Sequence, residues 1–281
     1  MNSPTVVAAD AVVLSRRPDL LALATLFVLT LRQHVRGRRL LVLSLLFALP
    51  SILTVVVGLT SRHAPPDALE FAFVFNLIPH ALAPLTALLY AAGMIQDEVE
   101  EQTLTYLLLR PLPRWALYLV KLMATLLVTL VLIAVFTTAT FATIALMASE
   151  PATAGLIGRA LTMAGLLGLT QVAYCGLFGL LGLLTRHSFL AGIAYIFALE
   201  GLLASFPTVA RQLTVMYYFR VLALRWLEPA GANDNWSIDL ATAPEAQTCV
   251  LTLLGVGLVS AAAAAIFFAR SEFRMKTPEG N

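Results

Sequence analysis

The sequence contains few charged residues. Asp, Glu, Lys and Arg make up 12% of its 281 positions, about half of the ~25% that is usual in soluble domains. A soluble fold needs more charge on its surface, so this shortage excludes an ordinary soluble protein. The net charge of +2 is also too small to indicate nucleic acid as a partner.

Residue types that build metal, redox and nucleotide sites are also scarce. Two cysteines, Cys175 and Cys249, support neither a disulfide framework nor a zinc site. The four histidines are scattered, and no H-E-x-x-H pair is present. The phosphate-binding loop G-x-x-x-x-G-K-[ST] is missing as well. The sequence therefore predicts no catalytic residue, no metal site and no cofactor site on this chain.

Apolar residues, in contrast, make up 59% of the chain. Six segments are long and apolar enough to cross a bilayer as helices, which takes ~20 residues each. We therefore predict an all-α, polytopic membrane protein. The six predicted spans cover residues 40–59, 71–95, 116–147, 160–184, 188–206 and 246–269.

The N-terminal region predicts an amphipathic helix that lies on the membrane surface. The apolar run from Leu20 to Leu31 is too short to span, and arginines follow it directly. We interpret residues 20–36 as a helix whose arginines lie among lipid headgroups. An uncleaved signal anchor is the alternative. A cleaved secretion signal is disfavoured because no small-residue cleavage site follows the run.

Basic residues are distributed unequally over the two sides of the predicted spans. With the N-terminus inside, 13 of the 18 Lys and Arg residues face the cytoplasm, which predicts that both termini are cytoplasmic. An outer loop then covers residues 207–245, and its first half predicts a helix at the outer interface. The regions are a cytoplasmic N-terminus, 1–39, a transmembrane domain, 40–269, and a cytoplasmic tail, 270–281.

The most charged stretch separates the second and third predicted spans. The sequence GMIQDEVEEQTLTYLLLRPLPRWALYLVKL, residues 93–122, places four carboxylates in five positions, from Asp97 to Glu101. Leucines follow on one face of a short helix, and Pro111 and Pro113 end it. We name residues 96–115 the elbow. In the simplest interpretation it is an acidic loop that keeps two helix ends in water.

The elbow resembles the signature of the type 2 family of ABC transporter permeases, the membrane subunits of ATP-driven exporters. That signature has two glutamates two positions apart, then Gly-Thr-Leu, a Leu-Leu pair, Pro-x-Ser-Arg and a Lys near the next span. Gln102 and Pro113 stand where the family has Gly and Ser. The matching residues are Glu98, Glu100, Thr103, Leu104, Leu107, Leu108, Pro111, Arg114 and Lys121.

This resemblance implies a permease subunit of a bacterial ABC exporter in the plasma (inner) membrane. It also implies a homodimer, or a heterodimer with a second permease, and an elbow that docks on a separate ATP-binding subunit. ATP and Mg²⁺ would be bound by that partner. The substrate is left open.

The sequence has features that also bear on three classes of protein other than a permease. An ion-coupled secondary transporter and a structural membrane anchor remain alternatives. A membrane protease of the Glu-Glu-x-x-x-Arg type is disfavoured, because Thr105 stands where the arginine belongs.

One carboxylate lies inside a predicted span. Glu200 is ~9 Å from the outer end of the fifth span, and His80, in the same outer half, is its candidate partner. A charge at mid-bilayer costs ~2.5–3.5 kcal/mol, so Glu200 either fixes helix packing or lines a transport path. A packing role predicts that Glu200→Leu is neutral or stabilising.

The charge asymmetry generates a test of topology. We expect cysteines introduced at Thr105 and Gly280 to be shielded from a membrane-impermeant thiol reagent in intact cells, because both positions are predicted to be cytoplasmic. A cysteine at Asn233 should react from outside. Labelling of position 105 in intact cells would overturn the six-span arrangement.

Overall fold

A computed structural model describes residues 20–60, 65–100, 113–147, 155–185, 187–203, 209–230 and 232–270. All regular elements in these ranges are helices, as the sequence predicts. A single 3₁₀ turn, Val209–Leu213, precedes the seventh α-helix. The helices are α1 (Leu20–Arg36), α2 (Arg38–Thr60), α3 (helical from Pro66 to Glu100), α4 (Arg114–Met147), α5 (Leu156–Leu184), α6 (Ser188–Leu202), α7 (Val215–Trp226), α8 (Ala232–Trp236) and α9 (Ala246–Arg270).

Five of the described helices are long and apolar enough to cross a membrane: α2, α3, α4, α5 and α9. Helices suit this environment because each backbone group is bonded within its own segment. The fifth predicted span, 188–206, corresponds to α6, whose described residues, Ser188–Leu202, are apolar but fewer than the ~20 that a span needs. A multi-pass membrane protein is confirmed, and the count of six spans stays a prediction.

The turns of α3 widen near its prolines. Residues Glu70–Leu82 and Leu88–Ala92 are π-helical, and Pro79 and Pro84 lie within or beside these segments. Proline has no N–H and its ring clashes with the carbonyl four residues earlier, so a regular α-helix is disfavoured there. The wider turns keep the helix continuous, and it returns to regular α geometry at Gly93–Glu100.

At the centre of the bundle, α5 packs against α4, α9 and the end of α3. Small residues allow these helices to touch through their backbones. A Cβ on Gly176 would lie 2.5 Å from the carbonyl oxygen of Gly257 in α9, and one on Gly182 would lie 2.5 Å from that of Ala92. Close approach of this kind favours helix association in lipid, where van der Waals packing replaces the hydrophobic driving force.

The predicted helix over residues 20–36 is present as α1, and it packs along α4. Leu26 and Thr30 are buried in that contact, whereas Leu20 and Leu29 are exposed. The helix therefore has one face on the bundle and apolar side chains on its open face. Its position on the membrane surface stays a prediction.

The helix predicted in the first half of the loop 207–245 is present as α7, but it is buried. Nine of its residues between Val215 and Leu224 are inaccessible, and it packs against α5 and α9. A helix lying flat at an interface would expose one side. The free backbone N–H groups at the start of α7 must therefore be satisfied by the protein.

Candidate functional site

The elbow begins at the end of α3, where two adjacent carboxylates take different partners. Asp97 accepts two hydrogen bonds from Arg39 of α2, at 2.5 and 2.8 Å. Glu98 is buried and forms an ion pair with Lys121 of α4. Neighbouring helical residues point about 100° apart, so these two carboxylates reach two different helices.

The Asp97–Arg39 pair depends on a glycine one turn earlier. A Cβ on Gly93 would lie only 2.6 Å from Nη1 of Arg39. Glycine at this position therefore leaves room for the guanidinium. The pair is partly exposed, with 44% of the Arg39 side chain and 31% of the Asp97 side chain accessible.

Lys121 is the buried cation at this end of the bundle, which we call the elbow end. Only 2% of the residue is exposed, and its Nζ also donates to the carbonyl oxygen of Met94, at 3.3 Å. A buried charge is stable only when it is paired and hydrogen-bonded. Lys121 and Glu98 therefore hold the end of α3 against α4. In the chain, α3 precedes residues 101–112 and α4 follows them.

His34 joins α1 to the same region. Its Nε2 lies 2.9 Å from the hydroxyl oxygen of Thr125 in α4, and its ring meets Tyr90 edge-on. Burial, together with the nearby charges of Lys121 and Arg39, lowers the pKa of His34 to about 4. The ring is therefore uncharged at cellular pH and acts as a neutral hydrogen-bonding contact between α1 and α4.

The structure locates two of the predicted docking residues. Glu98 turns inward to Lys121, which makes it an internal support of the elbow, and Arg114 begins α4. Glu100 ends the helical segment Gly93–Glu100, and its side chain is outside the described part. Five further predicted docking residues also lie outside the described residues: Thr103, Leu104, Leu107, Leu108 and Pro111.

At the opposite end of the bundle, Glu200 of α6 caps the buried start of α7. Its two carboxylate oxygens accept hydrogen bonds from the backbone N–H of Val215, at 3.1 Å, and of Met216, at 3.0 Å. The hydroxyl of Tyr195 donates to the same carboxylate at 3.1 Å. A carboxylate at a helix N-terminus satisfies free N–H groups and interacts favourably with the helix dipole. Thr214 completes the cap by accepting from the N–H of Tyr217 at 3.2 Å.

His80 is not bonded to Glu200, so the partnership predicted from the sequence is wrong. The Nε2 of His80 instead lies 2.5 Å from Nη2 of Arg220 in α7. Because arginine can only donate, Nε2 accepts, and Nδ1 donates to the carbonyl oxygen of Asn76 at 3.0 Å. Arg220 therefore contacts one of the two predicted partners, His80, and interacts electrostatically with the other, Glu200.

The contacts of two buried cations, Lys121 and Arg220, were not predicted from the sequence. Lys121 was matched to the elbow motif, but no side chain was predicted to pair with it. Arg220 was placed in a helix at the outer interface. A signal existed for both, since each is a cation in an otherwise apolar helical stretch and requires a buried partner or water. The partner itself could not be read from the sequence.

A family model described as ABC-2 family transporter protein matches residues 35–201 of the chain. The matched region contains α2 to α5 and nearly all of α6, and with them the two ion pairs of the elbow and Glu200. A search of the curated proteins found no match. The resemblance noted in the elbow motif is confirmed over more than half of the chain.

The buried ion pair of the elbow generates a prediction about stability. We expect Lys121→Met to lower the free energy of unfolding by about 3–5 kcal/mol, because it leaves Glu98 as a buried carboxylate without its cation. The double change Glu98→Leu with Lys121→Met should recover most of that loss. Thermal unfolding of the detergent-purified chain measures both effects.

The matched control is the partly exposed pair one residue earlier. Asp97→Asn should cost only about 0–1 kcal/mol, since water screens that pair. Equal losses for Lys121→Met and Asp97→Asn would show that the buried pair has no special role in holding α3 to α4.

The geometry of Glu200 reverses the expectation drawn from the sequence for Glu200→Leu. Leucine would leave the buried N–H groups of Val215 and Met216 without an acceptor, and each such group costs about 1–3 kcal/mol. We therefore expect Glu200→Leu to lower the melting temperature in detergent more than Glu200→Gln, which keeps one acceptor oxygen.

Leu202→Ala, on the exposed side of the same helix, serves as the control and should have little effect. If Glu200→Gln folds normally but abolishes transport, the charge itself is needed and a packing role is insufficient.

Proposed function

The chain belongs to the ABC-2 family of transporter membrane proteins, and we propose that it is the membrane-spanning permease subunit of an ATP-driven exporter. The family match over residues 35–201 carries this proposal. A separate ATP-binding subunit binds ATP and Mg²⁺, consistent with the lack of a phosphate-binding loop in this sequence. The site of action is the bacterial plasma membrane.

The elbow is the segment through which the ATP-binding subunit acts on the helices. Support comes from its base, where Asp97 is bonded to Arg39 of α2 and Glu98 to Lys121 of α4. A displacement of the elbow therefore pulls on two spanning helices at once. The buried Glu98–Lys121 pair transmits most of this force, because breaking it would expose two charges to an apolar interior.

At the end of the bundle opposite the elbow, three helices move together when the elbow is displaced. Glu200 bonds α6 to the start of α7, and Arg220 bonds α7 to His80 of α3. Since three helices share these contacts, α7 moves together with α3 and α6. Glu200 then has a positioning role and does not contact the substrate. Two permease chains, identical or different, enclose the pathway between them.

Docking is tested by a single substitution in the elbow. We expect Leu107→Asp to weaken co-purification of the chain with its ATP-binding-cassette partner subunit, because a charge is placed among the leucines predicted to form the apolar face of the elbow helix. ATP hydrolysis by the reconstituted complex should fall in parallel. Membrane insertion should be unchanged, since residue 107 is predicted to lie outside the spans.

Leu213→Asp makes the same chemical change at a residue that is 80% exposed and predicted to lie on the outer side. It should leave both co-purification and ATP hydrolysis at the wild-type level. Unchanged co-purification for Leu107→Asp would show that the elbow is not the docking surface. Substrate movement that continues with an ATPase-inactive partner would favour an ion-coupled transporter.

A further inference from the structure

A cavity of about 350 Å³ opens at the elbow end, between α1, α2, α3 and α4. This volume falls within the range of small-ligand pockets, about 300–1,000 Å³. Three cations and one carboxylate line the cavity: Arg38, Arg39, Lys121 and Asp97. The lining is therefore positively charged, which favours an anionic ligand.

The cations of the cavity differ in what already neutralises them. Arg39 is held by Asp97, and Lys121 is paired with Glu98. Arg38 is exposed and has no acidic partner among the residues that the structure describes. The excess positive charge in this cavity is thus carried by Arg38, the first residue of α2.

A second, independent feature of the wall points to a ligand that accepts hydrogen bonds. Tyr90 lines the cavity and is 1% exposed, yet its hydroxyl has no hydrogen-bond partner in the described part of the chain. Buried hydroxyls are normally satisfied, by protein or by a bound molecule. Gln33, on the opposite wall, adds an amide donor.

Exposed apolar side chains lie on two of the helices that line the cavity. On α2, Leu41, Val42 and Leu45 are exposed, and on α1, Leu29 and Val35 are exposed. A free inorganic anion gains nothing from such surface. A phospholipid can bind to the cavity and to the apolar side chains at the same time. Its acyl chains cover the leucines and valines, while its phosphate lies beside the arginine.

The position of the cavity agrees with a lipid headgroup. Arg38 begins the span Arg38–Thr60, and Asp97 lies in the last helical turn of α3, which ends at Glu100. These two residues, which line the cavity, therefore lie where the apolar helices leave the bilayer core. Lipid phosphates lie at the same depth. Basic pockets between helices at this depth are suited to acidic headgroups.

We propose that this cavity binds the phosphate headgroup of an anionic phospholipid, with Arg38 as the main cationic contact. The bound lipid fills the space between α1 and the Arg39–Asp97 pair and so supports α1 against the bundle. This site does not depend on the proposed export function. It is measured on the permease alone, so its failure and a failure of docking to the ATP-binding subunit are distinguishable.

Native mass spectrometry of the detergent-purified full chain tests the proposal. The probes are dioleoyl phosphatidylglycerol, which is anionic, and dioleoyl phosphatidylcholine, which has the same acyl chains and no net charge. We expect preferential retention of one phosphatidylglycerol molecule. Arg38→Gln should reduce that retention about fivefold, the effect of one basic residue near an anionic headgroup.

Arg32→Gln is the matched control, because Arg32 is an exposed arginine of α1 that does not line the cavity. It should retain phosphatidylglycerol like the wild type, and Arg38→Lys should retain most of the binding because it keeps the charge. Tyr90→Phe should weaken binding without changing insertion.

Three results would overturn the proposal. The first is equal retention of the two lipids by the wild type. The second is an equal loss in Arg32→Gln and Arg38→Gln, which would mean that the basic N-terminal region attracts lipid without a defined site. The third is complete displacement of the lipid by excess inorganic phosphate, which would identify a free anion as the ligand.

Discussion

Backbone amides inside a membrane protein must be bonded by the protein itself, because the apolar interior offers no water. Most of the chain meets this requirement by forming long helices. The exception is α7, a short helix whose first N–H groups are buried among α5, α6 and α9. Glu200 and Thr214 supply the missing acceptors. A carboxylate in a predicted span is thus explained by the buried helix start that it caps.

The same requirement governs the buried charges. Arg220 contacts His80 and interacts electrostatically with Glu200, and Lys121 is paired with Glu98. Each of these contacts joins two different helices. It therefore fixes the distance between the two helices and also the rotation of each helix about its own axis. Because an unpaired charge in this interior costs several kcal/mol, helices joined in this way tend to move together. This coupling gives the proposed transmission from the elbow a physical basis.

The elbow end combines a strong and a weak connection. Glu98–Lys121 is buried, whereas Asp97–Arg39 is partly open to solvent and borders the cavity lined by Arg38. Contacts near the surface are screened and easily rearranged. In the proposed lipid site, the junction of α2 with the end of α3 is therefore the part of this region that lipid composition would influence, while the buried pair keeps α3 fixed to α4.

The class of protein could be predicted from the amino-acid sequence alone. Long apolar segments predicted the spans, a short basic helix was predicted over residues 20–36, and the elbow motif resembled the family that matches residues 35–201. These properties are local: each depends on residue types within about 30 positions, and the bilayer sets the helix length. Glu200 was also identified from the sequence as exceptional, because one carboxylate in an apolar span is conspicuous.

The pairing of distant side chains, in contrast, depends on how the helices pack and could not be predicted from the sequence. His80 and Arg220 are 140 residues apart in the chain, and Lys121 and Glu98 are 23 apart. Whether such pairs form depends on the rotation and tilt of each helix, and these are set by the combined packing of all its neighbours. The burial of α7 has the same origin, since its sequence fits an interfacial helix equally well. Periodicity determines which residues share a face of a helix, and the packing of the bundle determines what that face contacts.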